Sequence, residues 1–178
     1  MRFQEQTRNV YLVGLMGAGK TTVGRALARR LGYRFLDSDH EVELRTGVSL
    51  ATIFEIEGED GFRRREAQLI AELAELRRHV VATGGGSVLR PENRLVLRSS
   101  GTVVYLDVPL NTLYERTRHD RKRPLLQVSD PRQKLRELLA QRDPLYREVA
   151  DVTISGSHIT AQAILNLLLR EEGEAWKR

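Results

Sequence analysis

Five short apolar runs alternate along the chain with longer stretches whose apolar residues recur every three or four positions. Val10-Tyr11-Leu12-Val13 is continuously apolar and reads as a strand buried on both faces. Arg34-Phe35-Leu36, His79-Val80-Val81-Ala82, Thr102-Val103-Val104-Tyr105-Leu106 and Val152-Thr153-Ile154 read as the other four strands, the last being the weakest. Between them, Val23, Leu27 and Leu31 fall at i, i+4 and i+8, and Gly32 is placed to stop that helix. Leu69, Ile70, Leu73 and Leu76 share a helical face, as do Leu135, Leu138 and Leu139, and Ile164, Leu165, Leu168 and Leu169. Strands alternating with helices predict a single three-layer α/β/α domain around a central five-stranded parallel sheet, with right-handed crossovers. No internal repeat or low-complexity linker divides residues 1–178, and the ends, 1–8 and 171–178, are expected to be flexible.

In open parallel sheets ligands bind beyond the carboxyl ends of the strands, so the residues that follow each strand carry the chemistry. After the first comes Gly14-Leu15-Met16-Gly17-Ala18-Gly19-Lys20-Thr21, a full match to the phosphate-binding pattern Gly-x-x-x-x-Gly-Lys-[Ser/Thr]. Its glycines let backbone N–H groups turn toward an anion, and the helix that follows adds the positive end of its dipole. Lys20 is expected to reach the β- and γ-phosphates of a nucleoside triphosphate and the Thr21 hydroxyl to sit on Mg²⁺. After the second strand comes Asp37-Ser38-Asp39. In an extended segment residues i and i+2 point the same way, so one carboxylate would hold Mg²⁺ through water while the other accepts a hydrogen bond from a substrate hydroxyl. A helix N-cap ahead of Glu41–Arg45 is the competing reading for one of the pair. After the third strand comes Thr83-Gly84-Gly85-Gly86. Three successive glycines cost entropy and make sense where backbone approaches a ligand closely.

Two arginines stand out. Arg63 lies in Phe62-Arg63-Arg64-Arg65, of which one or two would point inward. Arg142 continues the apolar stripe of Leu135 and Leu138, where an unpaired charge is costly. It needs either a ligand carboxylate or phosphate, or an internal acid, and the spacing leaves both open. The dense basic stretch Arg116–Arg123, within residues 115–127, reads as a mobile lid that could close over ATP. His40, His79, His119 and His158 show no metal-ligand spacing.

Composition narrows the partners. Lys plus Arg number 29 against 24 acids, a net charge of +5 that favours anionic ligands. Aromatic residues make up only 6%, too few for a stacking platform, so nucleic acid is not the expected partner. There is no cysteine, which fits a reducing cytoplasm. No run approaches the roughly 20 apolar residues that span a bilayer, and Met1–Gln6 lacks the apolar core of a secretory signal.

Taken in order, the motifs Gly14–Gly24, Phe35-Leu36-Asp37-Ser38-Asp39, Gly61–Glu66, Thr83–Gly86, Arg123-Pro124-Leu125-Leu126 and Arg142-Asp143-Pro144-Leu145-Tyr146 resemble the shikimate kinase family, nucleoside-monophosphate-kinase-like proteins of the P-loop kinase type. The resemblance runs from about Asn9 to Leu169. It implies transfer of the ATP γ-phosphoryl group to the 3-hydroxyl of shikimate, on the route to chorismate. It also implies roles: Gly17, Ala18, Gly19, Lys20, Thr21 and Thr22 around the phosphates, Thr21 and Asp37 on Mg²⁺, and Asp39 on the attacking hydroxyl. Arg63 and Arg142 would hold the substrate carboxylate beside Gly84, Gly85 and Gly86. Arg123 would reach the transferred phosphate from the lid, and Arg116 would contact adenine. A monomer is the simplest expectation. The rivals are a kinase for gluconate or a nucleotide, and a non-catalytic nucleotide-binding module acting on nucleic acid.

Overall fold

The computed structural model describes residues 8–175, with side chains to residue 170. Of the ends expected to be flexible, 1–7 and 176–178 lie outside the described residues. The five strands are β1 (Asn9–Val13), β2 (Arg34–Asp37), β3 (His79–Ala82), β4 (Gly101–Asp107) and β5 (Val152–Ser155). They form one parallel sheet in the order β2-β3-β1-β4-β5. The central place of β1 explains its composition. It pairs with β3 through Val10 to Leu12 and with β4 along its whole length, and every residue is buried. Fully burying one such side chain, as for Leu12, contributes about 2 kcal/mol. β2 at the edge is only partly covered.

Among the described residues seven helices pack on the two faces: α1 (Lys20–Leu31), α2 (Ser38–Thr46), α3 (Leu50–Leu73), α4 (Pro91–Ser100), α5 (Leu110–Thr117), α6 (Pro131–Val149) and α7 (Ala161–Ala175). Gly32 ends α1 in the left-handed conformation at φ 66°, as its place in the sequence predicts. α1 packs against α7, whereas α3 meets α4, and α6 meets α4 and β4. The helix α4 has no counterpart in the apolar pattern, because only Asn93 and Leu97 of its ten residues are buried. Two expected core positions fall outside it. Leu76 lies past the end of α3, and Leu169 is 54% exposed. α3 is interrupted at Gly58, whose φ of 70° and ψ of 179° break the helix ahead of the turn carrying Arg63. The basic stretch also divides differently from the expectation. Arg116 belongs to the last turn of α5, and only the residues after Thr117 form the loop, which closes in a 3₁₀ turn at Pro124–Leu126.

Candidate active site

The carboxyl ends of β1, β2 and β3 face one another across a short distance, because these strands are adjacent. α1 begins here with Gly19 at φ 90°, no side-chain cap and no acid in its first turn. By contrast α2, α3 and α6 are capped by Asp37, Ser49 and Asp130. An uncapped N-terminus opening on a glycine loop leaves its N–H groups for an anion. Lys20 folds back over that loop, donating to the carbonyls of Gly14 at 2.6 Å and Leu15 at 3.0 Å. Burial pushes its pKa down to about 8, and Arg123 adds to the effect while Asp39 and Asp37 oppose it. The ammonium is held where a polyanion would restore its charge preference.

Thr21 and Asp37 meet directly, the hydroxyl donating to Asp37 Oδ2 at 2.5 Å. The other oxygen of Asp37 accepts the N–H groups of Asp39 at 3.1 Å and His40 at 3.2 Å. Asp37 is therefore the cap of α2 and a neighbour of the phosphate loop at once, so capping the helix does not take it away from the loop. The extended geometry expected for Asp37 and Asp39 is corrected: β2 ends at Asp37, and Asp39 lies in the first turn of α2. The strand yields early because Asp37 caps the next helix. Asp39 still reaches the site. Burial raises its pKa, Asp37 raises it further, and Lys20, Arg123 and Arg63 work against both.

Arg63 and Arg142 are both inward, 7% and 2% exposed, and Arg64 and Arg65 are outward. Arg63 donates to Glu66 at 2.8 Å and Glu59 at 3.2 Å. Arg142 has no ion pair among the described residues, and the Nε atoms of both arginines are buried without a hydrogen-bond partner. The internal acid that was one option for Arg142 thus serves Arg63 instead. That acid, Glu66, escaped the sequence reading, although it sits in the stripe of Phe62, Leu69 and Ile70 and breaks it just as Arg142 breaks its own. Burial lifts the pKa of Glu66 to about 7, Arg63 being the main opposing influence, and its Oε2 has no partner.

The three glycines press against these side chains. A Cβ at Gly84 would come within 2.5 Å of Asp39 Oδ1 and 2.8 Å of Glu66 Oε2, and one at Gly86 would overlap the Arg63 guanidinium. The wall is therefore also the floor that the charged groups lie on. Arg123 is held within the loop that follows Thr117 by Asp120 at 2.9 Å, yet is near enough to influence Lys20 and Asp39. Arg116 donates to the Gly17 carbonyl at 3.1 Å and the Ser157 carbonyl at 2.6 Å, tying the phosphate loop to the β5–α7 loop. Ala18 is buried in the loop and Thr22 stands exposed on the first turn of α1. Among the described residues, no three His, Cys, Asp or Glu side chains gather to hold a metal by themselves. A hydroxyl and a carboxylate beside a phosphate loop do suit Mg²⁺, which keeps several waters and binds through substrate phosphates.

A model of the family described as shikimate kinase matches residues 16–171. The chain belongs to the shikimate kinase family. A shikimate kinase of Dechloromonas aromatica is 64% identical over 94% of this chain and 91% of its own length. A solved shikimate kinase from Acinetobacter baumannii, in complex with shikimate, is 53% identical with a TM-score of 0.92, covering 94% of this chain and 96% of that one. A gluconokinase from Sinorhizobium meliloti, at 18% identity and a TM-score of 0.57 over 95% of each chain, shares the fold alone. The family makes this chain an ATP-dependent kinase. No helix among the described residues is long and apolar enough to cross a membrane.

Proposed function

We propose that the protein transfers the γ-phosphoryl group of ATP to the 3-hydroxyl of shikimate, with Mg²⁺ as the metal. The observation that carries the substrate class is the pair of buried guanidiniums, Arg63 and Arg142, each with an unpartnered Nε and the second with no ion pair among the described residues. Unpaired buried charge is costly, and a small carboxylate accepting from both arginines removes the cost. Membership of the shikimate kinase family, and the bound shikimate of the Acinetobacter baumannii relative, support naming that acid.

In this reading Gly17, Ala18, Gly19, Lys20, Thr21 and Thr22 surround the ATP phosphates, and the open N–H groups at the start of α1 point at them. Lys20 leaves the loop carbonyls to bind the β- and γ-phosphates. Thr21 and Asp37 would hold Mg²⁺, directly and through water. The metal, when bound, neutralises phosphate charge. Asp39 holds the attacking hydroxyl, and its raised pKa makes it a better proton acceptor than an ordinary carboxylate. Arg63 and Arg142 fix the acid end of the ring against Gly84, Gly85 and Gly86. The loop after Thr117, within the expected 115–127, closes as a lid that excludes water, bringing Arg123 to the transferred phosphate, while Arg116 on the last turn of α5 borders the adenine. A cytoplasmic monomer that engages no nucleic acid completes the reading.

ADP release with MgATP alone, then with shikimate, gluconate or a nucleoside monophosphate added separately, tests the substrate. A response to shikimate only is expected, and no response in ATP-binding protein would overturn the assignment. Arg142→Ala should raise the KM for shikimate by on the order of 10²-fold while sparing ATP. Equal loss for both substrates would remove Arg142 from the carboxylate site.

A further inference from the structure

Tyr146 lies one helical turn after Arg142 on α6, and none of the roles above uses it. The side chain is completely buried, and its hydroxyl donates to the Gly85 carbonyl at 2.5 Å. Residues i and i+4 share a helix face, and the Arg142 guanidinium lies near enough to the phenol to favour its ionised form. A Cβ built on Gly85 would stand 3.4 Å from Nη1 of Arg142. The phenol oxygen therefore bonds the same glycine that the guanidinium packs against.

The turn carrying this oxygen is fixed by side chains more than by its own helix ladder. Pro144 lies inside α6 and removes one backbone donor there. In compensation, the ring of Tyr105 packs on that of Tyr146 with centroids 5.0 Å apart, and the Tyr105 hydroxyl donates to Asp143 at 2.8 Å. Arg147 then joins Asp143 to Asp107 at the carboxyl end of β4, each at 3.0 Å. Arg142 itself has no ion pair among the described residues, although Glu66 is near enough to feel its charge, and its Nε has no partner. A long buried side chain with several rotatable bonds takes its direction from the few oxygens it meets.

We propose that Tyr146 is a positioning residue for the substrate: its hydroxyl joins the Gly85 carbonyl to Arg142 and holds the guanidinium in the orientation that receives the shikimate carboxylate. The proposal rests on the reading of Arg142 as a carboxylate contact. Removing the hydroxyl leaves the Gly85 carbonyl unpaired and the guanidinium free to turn. The loss falls on carboxylate binding and leaves phosphoryl transfer alone.

Tyr146→Phe deletes only that oxygen. Tyr11→Phe is the matched control, since Tyr11 is equally buried on β1 but bonds Ser100 at 2.8 Å, just before β4 begins. Steady-state kinetics are measured with shikimate and with its carboxamide, alongside thermal unfolding. Tyr146→Phe should raise the KM for shikimate about tenfold and leave kcat and the KM for ATP within about twofold. Its KM for the carboxamide should match that of the unmodified protein, and Tyr11→Phe should lose stability without moving any KM. An unchanged KM for shikimate, or equal increases for shikimate, carboxamide and ATP, would overturn the proposal. Arg142→Ala in the same assay separates the two layers. If it shows no carboxylate-dependent loss, the reading of Arg142 falls; if it does and Tyr146→Phe does not, only the role of Tyr146 falls.

Discussion

Replacing Gly86 with alanine puts one methyl group where the Arg63 guanidinium now lies, since a Cβ there would overlap Cζ and both terminal nitrogens. Close packing leaves no slack, so the guanidinium must move by on the order of 1 Å. That motion breaks the 2.8 Å bond to Glu66, which is 1% exposed. Stranding one partner of a buried pair costs about 3–5 kcal/mol. Two features of the site reduce the figure. Glu66, with a pKa already near 7, can take up a proton, and Glu59, about half exposed, can keep its hold on Nη2. The expected loss of stability is therefore about 2 kcal/mol. The substrate loses a charge-assisted hydrogen bond, worth about 1.5–3 kcal/mol, so the KM for shikimate should rise about 10- to 100-fold. The KM for ATP should stay near its original value, because Lys20 and the phosphate loop are untouched. Steady-state kinetics in both substrates and urea unfolding measure all three quantities. A Gly86→Ala protein with an unchanged KM for shikimate would mean that Arg63 can leave its place without consequence, and the carboxylate site as drawn would be wrong.

Asp39→Asn keeps the shape of the side chain and removes its ability to accept a proton, so kcat should fall on the order of 10²-fold or more; an unchanged kcat would hand the hydroxyl to water. Glu66 keeps a proton in the folded state up to about pH 7, whereas the unfolded chain releases it near 4.5. Its contribution to stability is thus fully present below pH 4.5 and falls by about 3 kcal/mol as pH rises to 7, with Asp39 acting in the same direction. Urea unfolding across that range should show a flatter profile for Glu66→Gln, and parallel profiles would contradict the buried position of the carboxyl.

The sheet was readable because β1, β3 and β4 are buried on both faces and so carry uninterrupted apolar runs. α4 was not, since its apolar residues Leu95-Val96-Leu97 are consecutive and one of its two buried positions is the polar Asn93. At the site, residue identity was more legible than geometry. Asp39 was found by assuming an extended segment that the structure replaces with a helical turn. It lies beside the phosphate loop all the same, because a two-residue offset at a strand end keeps both carboxyls near Lys20 in either conformation. Arg142 was legible because a charge in an apolar stripe demands a reason. The same rule applied to α3 would have found Glu66, had the three adjacent arginines not drawn attention to positive charge alone. What no single-residue rule supplies is the pairing. Arg63 takes the acid and Arg142 goes without, and that difference depends on which way two helices present their side chains to one glycine loop. The asymmetry has a consequence for binding: Arg63 arrives partly neutralised by Glu66, so Arg142 holds the larger uncompensated charge and should dominate the attraction for an incoming carboxylate.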